Sequence, residues 1–299
     1  MAVIGKGQAH GACSLLHAAG LGYGCSMALD LPVAVRLLDK ESKRTLSDPD
    51  GLLEAVIDIW IANGHSLPNG LEKGDLHWAV ASKIPPRQGL KSSAAVSVAA
   101  IRALISSTKM QLEDKDIVLM SAQAQLEAGV SITGSIDDSW ACATNGWKLI
   151  DVNAETIEEG VLLEGSGPIA EDWHVMILSR GERVSRPEPE AFAAHQQNFI
   201  QALNAIQEGQ ELVALTWNGR AMVAITSDSI ARKMTNDAFV NGARSSGISG
   251  SGSAIMVITP SVSKPSSERL IKLFSTRYTG VEIIETIFLN TEVVLDDTE

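Results

Sequence analysis

The chain has 299 residues, 45% of them hydrophobic and 20% charged, with a formal net charge of −12 at pH 7. That composition can fill one large core or two smaller ones and is not that of a disordered chain. It carries no general attraction for nucleic acid or for anionic membranes, so an anionic ligand would have to be held by local donors. No segment approaches the roughly 18 uninterrupted apolar residues that a membrane span needs. Glycines and histidines interrupt the apolar run expected of a leader in the N-terminal stretch "MAVIGKGQAHGACSLLHAAGLGYG". Cys13, Cys25 and Cys142 form no Cys-x-x-Cys pair, and an odd number fits no closed disulfide framework, so the expected compartment is the reducing cytoplasm.

In chain order, Leu29, Leu31, Val33, Val35 and Leu37 alternate and predict a strand over 26–39. A helix is expected over 50–64, ended by Asn63-Gly64, and a strand over 76–85. Residues 92–106 place Ala94, Val98, Ile101 and Ile105 on one helical face. A helix over 115–129 and a strand over 145–152 follow. The acidic stretch 153–172, with Gly and Pro near its end, reads as a seam, dividing the chain into 1–160 and 161–299. Beyond it a strand is expected over 173–179, helical stretches over 188–208, 210–225 and 227–242, a strand over 253–259, a helix over 266–277 and a strand over 281–289. Helices and strands mix without regular βαβ alternation, which predicts an α+β fold.

Three stretches carry chemistry. In "IPPRQGLKSSAAVSVAAIRAL" (Ile84–Leu104), a Pro-Pro pair leads into Gly89, then Lys91, Ser92 and Ser93 precede a helix of small residues. Gly89 permits a tight turn and close approach of a ligand. Exposed N–H groups at the helix start make an anion site, and serine hydroxyls there can reach phosphate or Mg2+. A serine at a helix start is also an ordinary cap. The spacing is not a Walker A loop, because Leu90 precedes Lys91, and Gly5, Gly7 and Gly11 do not form Gly-x-Gly-x-x-Gly. The second stretch, "SSGISGSGSAIMVIT" (Ser245–Thr259), reads as a glycine-serine loop entering a strand. The third, "EAGVSITGSIDDSWACATNGW" (Glu127–Trp147), sets Asp137 and Asp138 in a polar turn flanked by Ile132, Ile136 and Trp140. Scattered Cys and His show no zinc spacing.

Together these stretches resemble the GHMP kinase superfamily. Pro85, Gly89, Leu90, Ser92, Ser93 and Ala94 match its central Pro-x3-Gly-Leu-Gly-Ser-Ser-Ala motif, with Lys91 where the family usually has glycine. Gly247–Gly252 resemble the C-terminal glycine motif. "AHGACSLLHA" resembles the first motif, with His10 for its proline and Ala12 for its basic residue. Within the superfamily, "PPRQGLKSSAAV" and "SITGSIDDS" make the chain most like the archaeal-type shikimate kinases, with homoserine kinase, or a non-catalytic nucleotide-binding regulator on the same fold, as alternatives.

The resemblance implies two α+β halves, the first like ribosomal protein S5 domain 2 and the second ferredoxin-like. It implies ATP and Mg2+ as cofactors, shikimate as small-molecule substrate, and no nucleic-acid or membrane partner. ATP would be held by Pro85, Pro86, Arg87, Gln88, Gly89, Leu90, Lys91, Ser92, Ser93, Ala94 and Ala95, with Gly250, Ser251 and Gly252. Mg2+ would lie at Ser92 or Ser93 and Glu127. Asp137, or alternatively Asp138, would be the catalytic acid, with Lys91 on a phosphate. A carboxylate on the substrate calls for an arginine. Arg180, Arg183 and Arg87 are the candidates, and His10 and His17 are further possible contacts.

Overall fold

The computed structural model describes residues 2–42, 46–131, 133–134, 136–184 and 187–290. In chain order the elements are β1 (Val3–Leu16), β2 (Tyr23–Leu38), α1 (Leu52–Ala62), β3 (His77–Ser82), α2 (Ser92–Thr108), α3 (Asp114–Glu127), α4 (Asp137–Ala143), β4 (Trp147–Asp151), α5 (Ile157–Gly160), β5 (Val161–Gly165) and β6 (Trp173–Ser179). There follow α6 (Pro189–Ala193), α7 (Gln196–Gln207), α8 (Glu211–Ile225), α9 (Ser229–Val240), β7 (Ser245–Ile248), β8 (Ile255–Pro260), α10 (Lys264–Arg277) and β9 (Glu282–Thr286).

Two antiparallel sheets organise them, in the orders β1-β2-β4-β5, with β3 also on β2, and β7-β8-β6-β9. The α+β expectation holds. The long β2 serves two neighbours in turn, pairing Tyr23–Met27 with β4 and Val33–Leu38 with β3. Its alternating apolar face, including Leu29, Val33, Val35 and Leu37, is buried. Among the described residues no helix is long and apolar enough to cross a membrane.

The first sheet continues past the boundary drawn at residue 160, because Val161–Gly165 still pairs with β4. The change from one sheet to the other falls between Gly165 and Trp173. The chain then returns: the Leu289 N–H donates to Ala28 O at 3.1 Å, and Thr286 Oγ1 donates to Asp30 O at 2.9 Å. These bonds stitch the C-terminal stretch back onto β2.

β1 was not expected, and its glycines explain why. A Cβ on Gly7 would lie 1.9 Å from Ala99 O, and one on Gly5 would lie 2.1 Å from Ala103 O. The backbone of β1 therefore rests directly on α2, whose buried face here is mostly alanine. Glycine lowers strand propensity, and only the close helix contact requires it. The expected helix over 188–208 is two helices, broken at Ala194-His195. Asp137 and Asp138, expected in a polar turn, instead open α4. Ile132, expected beside the paired acids, lies outside the described residues.

Candidate active site

A cleft enclosing about 850 Å3 of empty space, part of it open to solvent, is lined by residues of both halves. Gly89, Lys91, Ser92, Ser93 and Ala94 supply one wall, and Gln125, Asp137 and Asp138 another. His17, Arg87, Arg183, Gly250 and Ser251 complete the approach.

The loop before α2 is shaped by conformations that residues with a Cβ rarely adopt. Arg87 has φ 54°, Gly89 has φ 82° and Lys91 has φ 64°. The usual glycine at the position of Lys91 would take this left-handed geometry without strain, whereas a lysine pays about 1 kcal/mol for it. Lys91 is the N-cap of α2 and makes no side-chain cap. The alternative weighed for this helix start, an ordinary serine cap, does not hold: Ser92 and Ser93 occupy the first turn. With no side-chain cap from Lys91, the start of α2 opens on the cleft, which is an arrangement suited to anions.

What the lysine contributes is charge. Its Nζ lies 2.6 Å from Asp138 Oδ1, with the lysine side chain only 10% exposed. Burial opposes the charge on Lys91, but Asp138 and Asp137 outweigh it and raise its pKa. Burial likewise opposes ionisation of Asp138, and the Lys91 charge and hydrogen bonds donated by Lys91 and Ser26 hold its carboxyl below the usual range. Ser26, fully buried on β2, places its Oγ 2.8 Å from Asp137 Oδ2 and 2.9 Å from Asp138 Oδ1. Its single proton serves one carboxylate at a time. Sequence reasoning passed over Ser26, since a serine in an apolar strand has no motif; only the packing of α4 on β2 brings it to the acids.

The two glycine loops lock together. A Cβ on Gly89 would meet Ser249 O at 1.9 Å, and one on Gly252 would meet the Gln88 carbonyl carbon at 1.8 Å. Ser249 Oγ donates to Gly89 O at 2.8 Å, and the Ala254 N–H donates to Gln88 O at 3.1 Å. Gln88 also donates to Ser179 Oγ at 3.0 Å and accepts the Arg180 N–H at 3.2 Å. Gly89 and Gly252 thus permit loop to meet loop. Pro85, Gln88, Leu90 and Ala95 are buried behind the loop, Pro86 is exposed, and Gly250 and Ser251 face the cleft.

The other expected residues separate. Glu127 is exposed at the end of α3 and does not line the cleft, which corrects its assignment as a metal ligand. Gln125 faces the cleft instead. It lies one helical turn from Ser121, on the buried face, and its Nε2 donates to Ser139 Oγ at 3.0 Å and Ser121 O at 3.2 Å. Two residues on, Glu127 is carried round the helix to solvent. Arg180 is likewise corrected: its guanidinium is held by Asp228 at 2.6 Å and by Ser253 O at 2.8 Å, outside the cleft lining. Arg183 lines the cleft. Arg87 does too, ion-paired with Asp50 at 2.9 Å. His10 pairs with Pro32 in the sheet and is not in the cleft, whereas His17 is.

An uncapped helix start, a buried lysine and two carboxyls in one cleft make a site for a phosphorylated ligand. Residues 55–146 match the family described as GHMP kinases N terminal domain. The chain is similar to a shikimate kinase of Methanobrevibacter smithii, 25% identical over 83% of this chain and 86% of that one. It is also similar to a shikimate kinase of Pyrococcus abyssi, 25% identical over 51% of this chain and 61% of the relative, so that match spans about three-fifths of the relative's length. The crystal structure of the Methanococcus jannaschii mevalonate kinase superposes with a TM-score of 0.70, covering 95% of this chain and 98% of that one at 15% identity, a likeness of fold. Residues 55–146 thus match the GHMP kinase N-terminal domain, and the chain has the fold of that mevalonate kinase, the architecture that the resemblance implied.

Proposed function

We propose that the protein is an ATP-dependent kinase of a small hydroxylated carboxylic acid, with shikimate as acceptor and shikimate 3-phosphate and ADP as products. The observation that carries this reading is one cleft in which the uncapped start of α2, with Ser92 and Ser93, faces Asp137. The shikimate kinases among its relatives support the acceptor, and so does Arg183, a cation suited to a carboxylate.

Phosphoryl transfer asks for positioning and charge stabilisation more than for covalent chemistry. The N–H groups around Gly89–Ser93 hold the phosphate oxygens, and Lys91 supplies positive charge beside them. Among the described residues no group of three His, Cys, Asp or Glu side chains forms a metal cage. Two hydroxyls beside two carboxyls fit a hard cation that arrives on the nucleotide, the usual way Mg2+ is bound. Ser92 and Ser93 are the residues that would hold Mg2+, which neutralises phosphate charge when bound. Asp138 is committed to Lys91, so Asp137 takes the role of orienting the acceptor hydroxyl and receiving its proton. Ser26 keeps the two carboxyls in place.

The test is ADP release with ATP and Mg2+ against shikimate, homoserine and mevalonate, with Asp137→Asn in parallel. Turnover of shikimate alone, lost in the variant, is the expected result. Turnover of another alcohol would keep the chemistry and replace the substrate. ATP binding without turnover of any acceptor would favour a nucleotide-binding regulator.

A further inference from the structure

His17 follows the end of β1 and caps the turn Ala18–Gly20. Three contacts fix its ring and backbone. Its Nδ1 accepts the Ala19 N–H at 3.3 Å, its own N–H donates to Asn218 Oδ1 at 2.9 Å, and its ring centroid lies 4.8 Å from that of Phe192. Asn218 lies on α8 and Phe192 on α6, so the second half of the chain holds the residue in place. An imidazole whose Nδ1 is an acceptor carries its proton on Nε2. Burial first, and then the Lys91 charge, push its pKa down to about 4, so the ring is neutral near pH 7. His17 lines the same cleft as Lys91, Asp137, Asp138 and Arg183, and Lys91, Asp138 and Arg183 all act on it electrostatically. Among the described residues, no acceptor meets Nε2.

A fixed, neutral donor in a cleft that also holds Asp137 and Arg183 suits one kind of ligand group: an uncharged oxygen of a molecule that also bears a carboxylate. We propose that the His17 Nε2–H binds a hydroxyl of the acceptor other than the one that is phosphorylated, and so selects polyhydroxylated acids over simple alcohols. This rests on the kinase reading above and adds the recognition group.

The experiment is calorimetric titration of the full chain with shikimate and with shikimate analogues that each lack one hydroxyl, alongside initial rates. The variants are His17→Ser and His17→Asn. Both side chains can cap the turn, but only asparagine keeps an N–H donor. His17→Ser is expected to weaken shikimate binding about tenfold, the usual consequence of losing one neutral hydrogen bond. ATP binding should stay within twofold, and His17→Asn should recover part of the loss. For one deoxy analogue the substitution should have no effect, which identifies the hydroxyl bound. Shikimate binding unchanged in His17→Ser, or an equal loss for every analogue, would overturn the inference while leaving the kinase reading intact. Shikimate binding that depends on His17 without turnover would uphold it and remove the kinase reading. No shikimate binding to the unsubstituted protein would remove both.

Discussion

The loop entering α2 and the loop between β7 and β8 meet at the same cleft and are made differently. The first holds Arg87 and Lys91 at φ of 54° and 64°, while the second turns at Gly250, with φ 53°, and offers Ser251. The first accepts backbone strain to aim two long cations, one onto Asp50 and one onto Asp138. The second is small enough for its neighbour to rest on it. One loop supplies the groups and the other the space, although both read in sequence as the same kind of glycine-serine punctuation.

The largest effect should come from destroying their contact. Gly89→Ala would press a Cβ onto Ser249 O at a backbone angle unsuited to it, so ATP binding is expected to fall at least a hundredfold, as read by nucleotide titration. Asp137→Asn should lower kcat by about 10²–10⁴ and leave ATP affinity nearly unchanged. A parallel loss of ATP affinity would instead make Asp137 a binding group. Lys91→Met removes one partner of a half-buried ion pair, so about 1–3 kcal/mol of folding stability should be lost, between the exposed and the fully buried cases. Urea unfolding measures this, and adding Asp138→Asn should return part of it.

The same pair gives a smaller, pH-dependent effect. The folded pKa of Asp138 is lowered, so its stabilisation is complete above the ordinary 3.8 and is lost as pH falls through the lower folded value. That of Lys91 is raised, so its contribution is complete below 10.5 and is lost as pH rises beyond it. Urea midpoints measured across pH should show both shoulders, and Asp138→Asn should erase the acid one. Ser251→Ala, on the loop that supplies space, should change kcat/KM less than threefold; a larger loss would mean that this loop supplies groups as well.

Much of the fold was legible. Period-two alternation located β2, short apolar runs located β6 and β8, and one apolar helical face located α2. β1 and β7 were not located, since Gly5, Gly7 and Gly247 trade strand propensity for close packing that no local pattern records. Gly247 packs against Gly219, where an added Cβ would lie 2.8 Å from the Gly219 Cα. In the site, Lys91, Ser92, Ser93, Asp137 and Asp138, named from the motifs, line one cleft. Glu127 failed because two residues along a helix separate the buried face from the exposed one. Ser26 and Gln125 belong to no motif.

From the residues alone came the α+β class, the helix that begins at Ser92, and the set of groups suited to phosphate, because these depend on neighbours in the chain and on side-chain chemistry. Which groups meet was decided by packing. Lys91 reaches Asp138 because α4 packs against β2 and α2, and Asn218 and Phe192 hold His17 at the cleft from the other half of the molecule. Such contacts join residues tens to hundreds of positions apart, and a one-dimensional pattern carries no record of that distance.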